Sequence, residues 1–113
     1  MTLERPASDV LALRIRTLLE DKKAREVEIL DVEEKTTLAD RFVLATGTST
    51  THVKALSDEV QFRLKQDHGL LPLRIEGHAT GRWILLDYQD VIVHLFHSED
   101  RAYYSLERLW SRR

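Results

Sequence analysis

The chain has 113 residues, a formal net charge of −2 and no cysteine. That length holds one domain with one core, and the charge excludes a broad phosphate-neutralising face of the kind that carries non-specific nucleic-acid binding. Disulfides, thiolate nucleophiles and cysteine-based zinc sites are excluded together, and an acidic patch meeting a basic protein stays open.

The start, Met1-Thr2-Leu3-Glu4-Arg5-Pro6, carries neither the apolar core of a signal peptide nor the Arg/Ser-rich look of a transit sequence, and no apolar run reaches membrane-spanning length, which predicts a soluble, cytoplasmic protein. A first helix is predicted over 9–25, with Ser8 as N-cap. Leu11, Ile15, Leu18 and Leu19 form its apolar stripe, and Lys22, Lys23 and Arg25 suit the negative end of its dipole.

Val27 to Val32 reads as a strand, with Val27 and Ile29 on one face and Leu30 and Val32 on the other. A polar connection over 33–37 leads to Asp40, which opens a second strand over 41–46. Gly47-Thr48-Ser49-Thr50 is a turn feeding a helix over 51–67. Val53, Leu56, Val60 and Leu64 give it a buried side, and Gly69 supplies the stop.

A short third strand is predicted over 73–75, and Glu76 to Gly81 form the loop that follows. Two apolar runs, Trp83 to Leu86 and Val91 to Phe96, then flank the polar tetrad Asp87-Tyr88-Gln89-Asp90. Neither run alternates cleanly, so both are expected to be covered on both faces. Tyr-Gln lacks the glycine of the common tight hairpins, which predicts a type I turn or a four-residue loop with Tyr88 at an exposed tip; the alternative is that Tyr88 folds back and packs. Ser98-Glu99-Asp100 would cap a last helix with Ala102, Leu106, Leu109 and Trp110 as its stripe. The order α-β-β-α-β-β-β-α describes one α/β domain spanning residues 1–113, with a mixed sheet of about five strands and helices packed on it.

Chemistry is sparse. Gly47-Thr48-Ser49 before a helix resembles a phosphate-binding turn, but the single glycine meets neither the P-loop nor the dinucleotide pattern, and helix capping explains the hydroxyls. His94 and His97 are three apart on one strand and point to opposite faces, so they do not share a metal; His94 reads as a buried imidazole with a hydrogen-bond partner. His52, His68 and His78 are scattered. Asp40, Asp87 and Asp90 could converge, or Asp87 and Asp90 could cap their turn, which is the reading preferred here. Ser49 and His52 lack a nucleophile elbow.

Several segments together resemble the ribosomal silencing factor, or Iojap-like, family. They are Asp31 with Lys35-Thr36, Asp40-Arg41-Phe42-Val43, Ala45-Thr46-Gly47-Thr48-Ser49 with His52-Val53, and Gly69-Leu70-Leu71-Pro72. Glu76-Gly77, Trp83 to Tyr88, Asp90 to Phe96, and Tyr104, Leu106-Glu107 and Leu109-Trp110 complete the set. The resemblance implies a nucleotidyltransferase-like fold without catalysis or cofactor. It further implies docking on the large ribosomal subunit through its fourteenth protein, which sterically blocks joining of the small subunit and represses translation when nutrients are short. Carried over residue by residue, it puts Trp83, Asp87 and Tyr88 on the partner surface, and it suggests a homodimer.

The chain departs from the family where a glycine usually follows the aromatic residue; Gln89 stands there. If that position needs positive φ, the substitution costs on the order of 1 kcal/mol. The competing reading is a nucleotidyltransferase or nucleotide-binding domain using Gly47-Thr48-Ser49. It lacks the Asp-x-Asp pair on a following strand and would need carboxylates brought to Gly47.

Overall fold

A computed structural model describes residues 5–100. Helix α1 spans Ser8–Asp21 and buries Leu11, Ala12, Ile15, Leu18 and Leu19, the three-and-four spacing seen in the sequence. It differs at both ends from expectation. Ala7, not Ser8, holds the cap position and makes no side-chain cap bond. At the other end the helix stops four residues before Arg25, because Lys23 turns left-handed at φ 68°. The Ala24 N–H then returns to the Leu19 carbonyl at 3.0 Å and the Lys23 N–H to Glu20 at 3.0 Å, which is a Schellman closure built without glycine.

Arg25 thereby enters strand β1, Arg25–Asp31, whose register shifts between Arg25 and Glu28 around the positive φ of Glu26. Strand β2, Arg41–Gly47, pairs with it antiparallel, Ile29 opposite Val43. Helix α2 spans Thr50–His68. Ser49 caps it by accepting the His52 N–H, and Gly69 ends it at φ 64°. Strands β3, Arg74–Glu76, β4, Trp83–Asp87, and β5, Val91–His97, complete the sheet.

The spatial order is β1-β2-β5-β4-β3. Only β2 and β5 run parallel, in register from Arg41 opposite Val91 to Gly47 opposite His97; the other three pairings are antiparallel. The sheet is therefore mixed, as expected. The expected C-terminal helix through Ala102, Leu106, Leu109 and Trp110 lies outside the described residues.

Alternation along the strands divides the apolar side chains between two faces. Val43, Ala45, Ile84, Leu86, Val91, Val93 and Leu95 meet the stripes of α1 and α2. Val32, Phe42, Leu44, Ile92 and Phe96 form a second cluster on the opposite face, with Leu30, Trp83 and Leu85 packed against it. Val27 and Ile29 belong to the first cluster, Leu30 and Val32 to the second, so β1 divides as its sequence predicts. Strand β5 is buried on both faces up to Phe96. Strand β4 is not: Ile84 and Leu86 are buried, whereas Trp83, Leu85 and Asp87 are half-buried. Its uniform apolar look comes from Leu85, which sits on the more open face.

Candidate docking surface

The turn between β4 and β5 is built by three backbone or Asx bonds. The Tyr88 N–H donates to the Val91 carbonyl at 2.9 Å, and the Asp90 N–H donates to the Tyr88 carbonyl at 3.1 Å. The Gln89 N–H donates to Asp87 Oδ1 at 2.8 Å. The i to i+2 bond makes Gln89, at φ 83°, the centre of a γ-turn of the rare positive-φ kind, in place of the expected type I turn or four-residue loop. Asp87 caps the turn as anticipated, whereas Asp90, expected to do the same, gives its carboxylate to Arg5. The positive φ is the conformation that the missing glycine would have taken without strain.

The tight reversal decides where Tyr88 goes. Instead of standing at an exposed tip, it is 1% exposed and packs in the helix-side cluster. Its hydroxyl is buried with no hydrogen-bond partner among the described residues, and burial pushes the phenol pKa up. The folded-back alternative is the one the structure adopts.

Trp83 lies on the other face of the sheet. Its indole Nε1–H donates to His94 Nδ1 at 3.1 Å, and its ring stacks on Phe96 with centroids 5.2 Å apart. Phe42 meets the His94 ring edge-on at 4.9 Å. Accepting at Nδ1 leaves the proton on His94 Nε2, so the imidazole is neutral, and burial lowers its pKa to about 4. His94 is thus the buried, partnered histidine expected.

The three residues assigned to a partner surface are therefore not brought together. Trp83, Leu85 and Asp87 form one stripe along β4 by alternation, and Tyr88 projects to the opposite face. Asp87 is also engaged at its other atoms. Its carbonyl accepts the Leu73 N–H at 2.7 Å, and its Oδ2 lies 3.7 Å from the Arg74 guanidinium.

Of the three aspartates considered as a cluster, two converge. The Asp90 carbonyl accepts N–H bonds from Asp40 at 2.8 Å and Arg41 at 3.1 Å, sewing the loop before β2 to the β4–β5 turn. Arg5 reaches the same place, donating to the Tyr88 carbonyl and pairing with the Asp90 carboxylate. A cleft of about 430 Å³ opens between these three segments. Sequence reasoning missed it, since Arg5, Thr37 to Asp40 and Gln89-Asp90 are remote in the chain.

At the Gly47 turn, Ser49 Oγ accepts the His52 N–H at 3.0 Å. The His52 ring is held at both nitrogens: Nδ1 accepts the Thr48 N–H at 3.0 Å, and Nε2 donates to the Lys22 carbonyl at 2.9 Å. The imidazole thus locks α2 to the end of α1. Gly47 is required by contact, because a Cβ there would stand 2.7 Å from Val53 Cγ2. Among the described residues no three His, Asp or Glu side chains gather as a metal site.

Among the described residues the polar side chains at the turns and helix ends serve as caps and ties, and this small mixed-sheet α/β domain carries a half-buried aromatic-acidic stripe on β4 and a mixed cleft beside Asp40 and Asp90. The comparisons with known proteins give that architecture a family. Residues 5–113 match the family model described as ribosomal silencing factor during starvation, and the chain belongs to that family. It is 38% identical to ribosomal silencing factor RsfS of Halalkalibacterium halodurans over 90% of this chain and 86% of that protein. It is 31% identical to the mouse protein named mitochondrial assembly of ribosomal large subunit protein 1, over 86% of this chain and 43% of that one. A crystal structure of a Chromobacterium violaceum protein superposes with a TM-score of 0.82 at 39% identity, covering 94% of this chain and 85% of that one.

Proposed function

We propose that this ribosomal silencing factor acts in the cytoplasm by docking on the large ribosomal subunit through its fourteenth protein, a basic partner, and that its bulk blocks the small subunit from joining. The observation that carries the reading is family membership over residues 5–113. The name of the mouse relative ties that protein to the large subunit. The stripe of Trp83, Leu85 and Asp87 supports a docking role, since a half-buried aromatic beside an acid suits a basic protein surface. Tyr88 enters this surface indirectly, by anchoring the turn from inside.

The test is co-sedimentation of the protein with separated large and small subunits, followed by mixing the subunits. Retention on the large subunit with joining suppressed is expected, reduced by Asp87→Ala and by a folded Trp83→Phe variant. Retention on neither subunit refutes the reading.

The family's homodimer has a physical route at the outer edge of β3, an exposed strand whose far side pairs with no other strand among the described residues. Antiparallel pairing of two copies about Ile75 sets Arg74 opposite the second copy's glutamate, and Leu73 and Ile75, 69% and 42% exposed, supply apolar contact. Sedimentation equilibrium of Ile75→Lys against the native protein tests it; equal masses refute this interface.

A further inference from the structure

The cleft between the N-terminal segment, the β1–β2 loop and the β4–β5 turn has walls fixed by backbone bonds and a distinctive charge pattern. Among the described residues its lining includes two acids, Asp40 and Asp90, and one cation, Arg5. Arg5 is taken up by Asp90. The cation next in sequence to Asp40 is drawn elsewhere: Arg41 Nη1 lies 3.3 Å from Asp31, 3.5 Å from Glu33, and 3.0 Å from the Asp40 carbonyl rather than its carboxylate. Asp40 is left as a half-buried carboxylate with no cation among the described residues.

The rim adds two further features. Leu38 is 67% exposed beside the mouth, an apolar surface on which an alkyl stem can lie. Gln89, exposed and with a left-handed backbone, also lines the cleft. Arg5 already donates to the Tyr88 carbonyl and pairs with the Asp90 carboxylate at this cleft. A free anion is disfavoured here, since Arg5, the one cation lining the cleft among the described residues, is already neutralised by Asp90.

We propose that this cleft is a docking subsite for an arginine side chain of a basic protein partner, with Asp40 as its counter-ion and Leu38 under its stem. The proposal deepens the docking reading above and rests on it for the partner's basic character. A planar guanidinium suits the site better than an ammonium because it can donate to the carboxylate and to neighbouring acceptors at once.

The experiment is an amide-resolved NMR titration of the full chain with acetyl-triarginine amide, with the trilysine and neutral tricitrulline peptides in parallel. Saturable shifts confined to the amides of Leu38, Asp40, Gln89 and their neighbours are expected with arginine, weaker with lysine and absent with citrulline. Asp40→Asn, whose remaining spectrum should overlay on the native one, is expected to lose about tenfold in affinity for triarginine. Shifts scattered over the surface, equal shifts with citrulline, or undiminished binding by Asp40→Asn each overturn the proposal. Because the peptides need no ribosome, a positive titration with no retention on the large subunit would keep the subsite and dismiss the ribosomal partner; retention without the titration effect would do the reverse.

Discussion

The indole Nε1–H of Trp83 donates to Nδ1 of His94 across the β4–β5 pair, 3.1 Å away, and so fixes the tautomer of a buried histidine. Trp83→Phe keeps the ring in place and removes the donor. Stranding a buried acceptor costs roughly 1–3 kcal/mol. Urea unfolding should show a lower midpoint at unchanged slope. An unchanged midpoint would mean the bond contributes nothing to stability.

The same histidine predicts an acid weakness. Its pKa falls from 6.5 to about 4 on folding, so between those values the unfolded state binds the extra proton. Stability is full above pH 6.5, declines as pH falls through that window, and levels off below about 4, a loss on the order of 3 kcal/mol. Unfolding free energies of the native protein and His94→Gln, measured from pH 7 to 4.5, should diverge in slope. Parallel curves would show that another group governs the decline.

Tyr88 separates packing from its hydroxyl. Tyr88→Phe removes a buried oxygen that has no partner among the described residues and should leave stability unchanged or raise it by up to about 1 kcal/mol. Tyr88→Ala opens a cavity in the helix-side cluster and should cost about 3–5 kcal/mol. Thermal melts of both variants, with large-subunit retention measured on Tyr88→Phe, check this. Loss of retention by the folded phenylalanine variant would assign the hydroxyl itself a contact role.

Gln89 holds φ 83° at the centre of its γ-turn. Gln89→Gly relieves that strain by about 1 kcal/mol, partly offset by the greater freedom of the unfolded chain, so a small rise in melting temperature is expected. Gln89→Val, whose branched Cβ resists this region, should lower stability by about 1–2 kcal/mol. A valine variant as stable as the native protein would show that the turn relaxes into another form.

Legibility in the sequence followed the range of the forces involved. Apolar runs and their alternation located all five strands within two residues, and Gly69 marked the end of α2, because these signals are local. The end of α1 was hidden, since Lys23 adopts a left-handed conformation that nothing in its side chain announces. The inward turn of Tyr88 stood in the sequence only as one of two alternatives; the positive φ at Gln89, which reverses the chain sooner than a type I turn would, is what decides it. The neighbourhood of Arg5, Asp40 and Asp90 depends on three segments meeting, which no spacing encodes. The family resemblance reached the family itself, because it drew on the order of many weak segments rather than on any one of them.

The sheet order has a temporal side. Strand β5 occupies the middle of the sheet, yet it is the last of the five to be synthesised. Until Val91–His97 arrives, β2 offers a bare edge of peptide groups, and no strand joins the β1–β2 pair to the β3–β4 pair. The β4–β5 hairpin must then insert beside β2 across a long loop, whose closure entropy precedes its reward in contacts. A nascent chain of this protein therefore carries an open seam along β2 from the completion of that strand until its central strand is made.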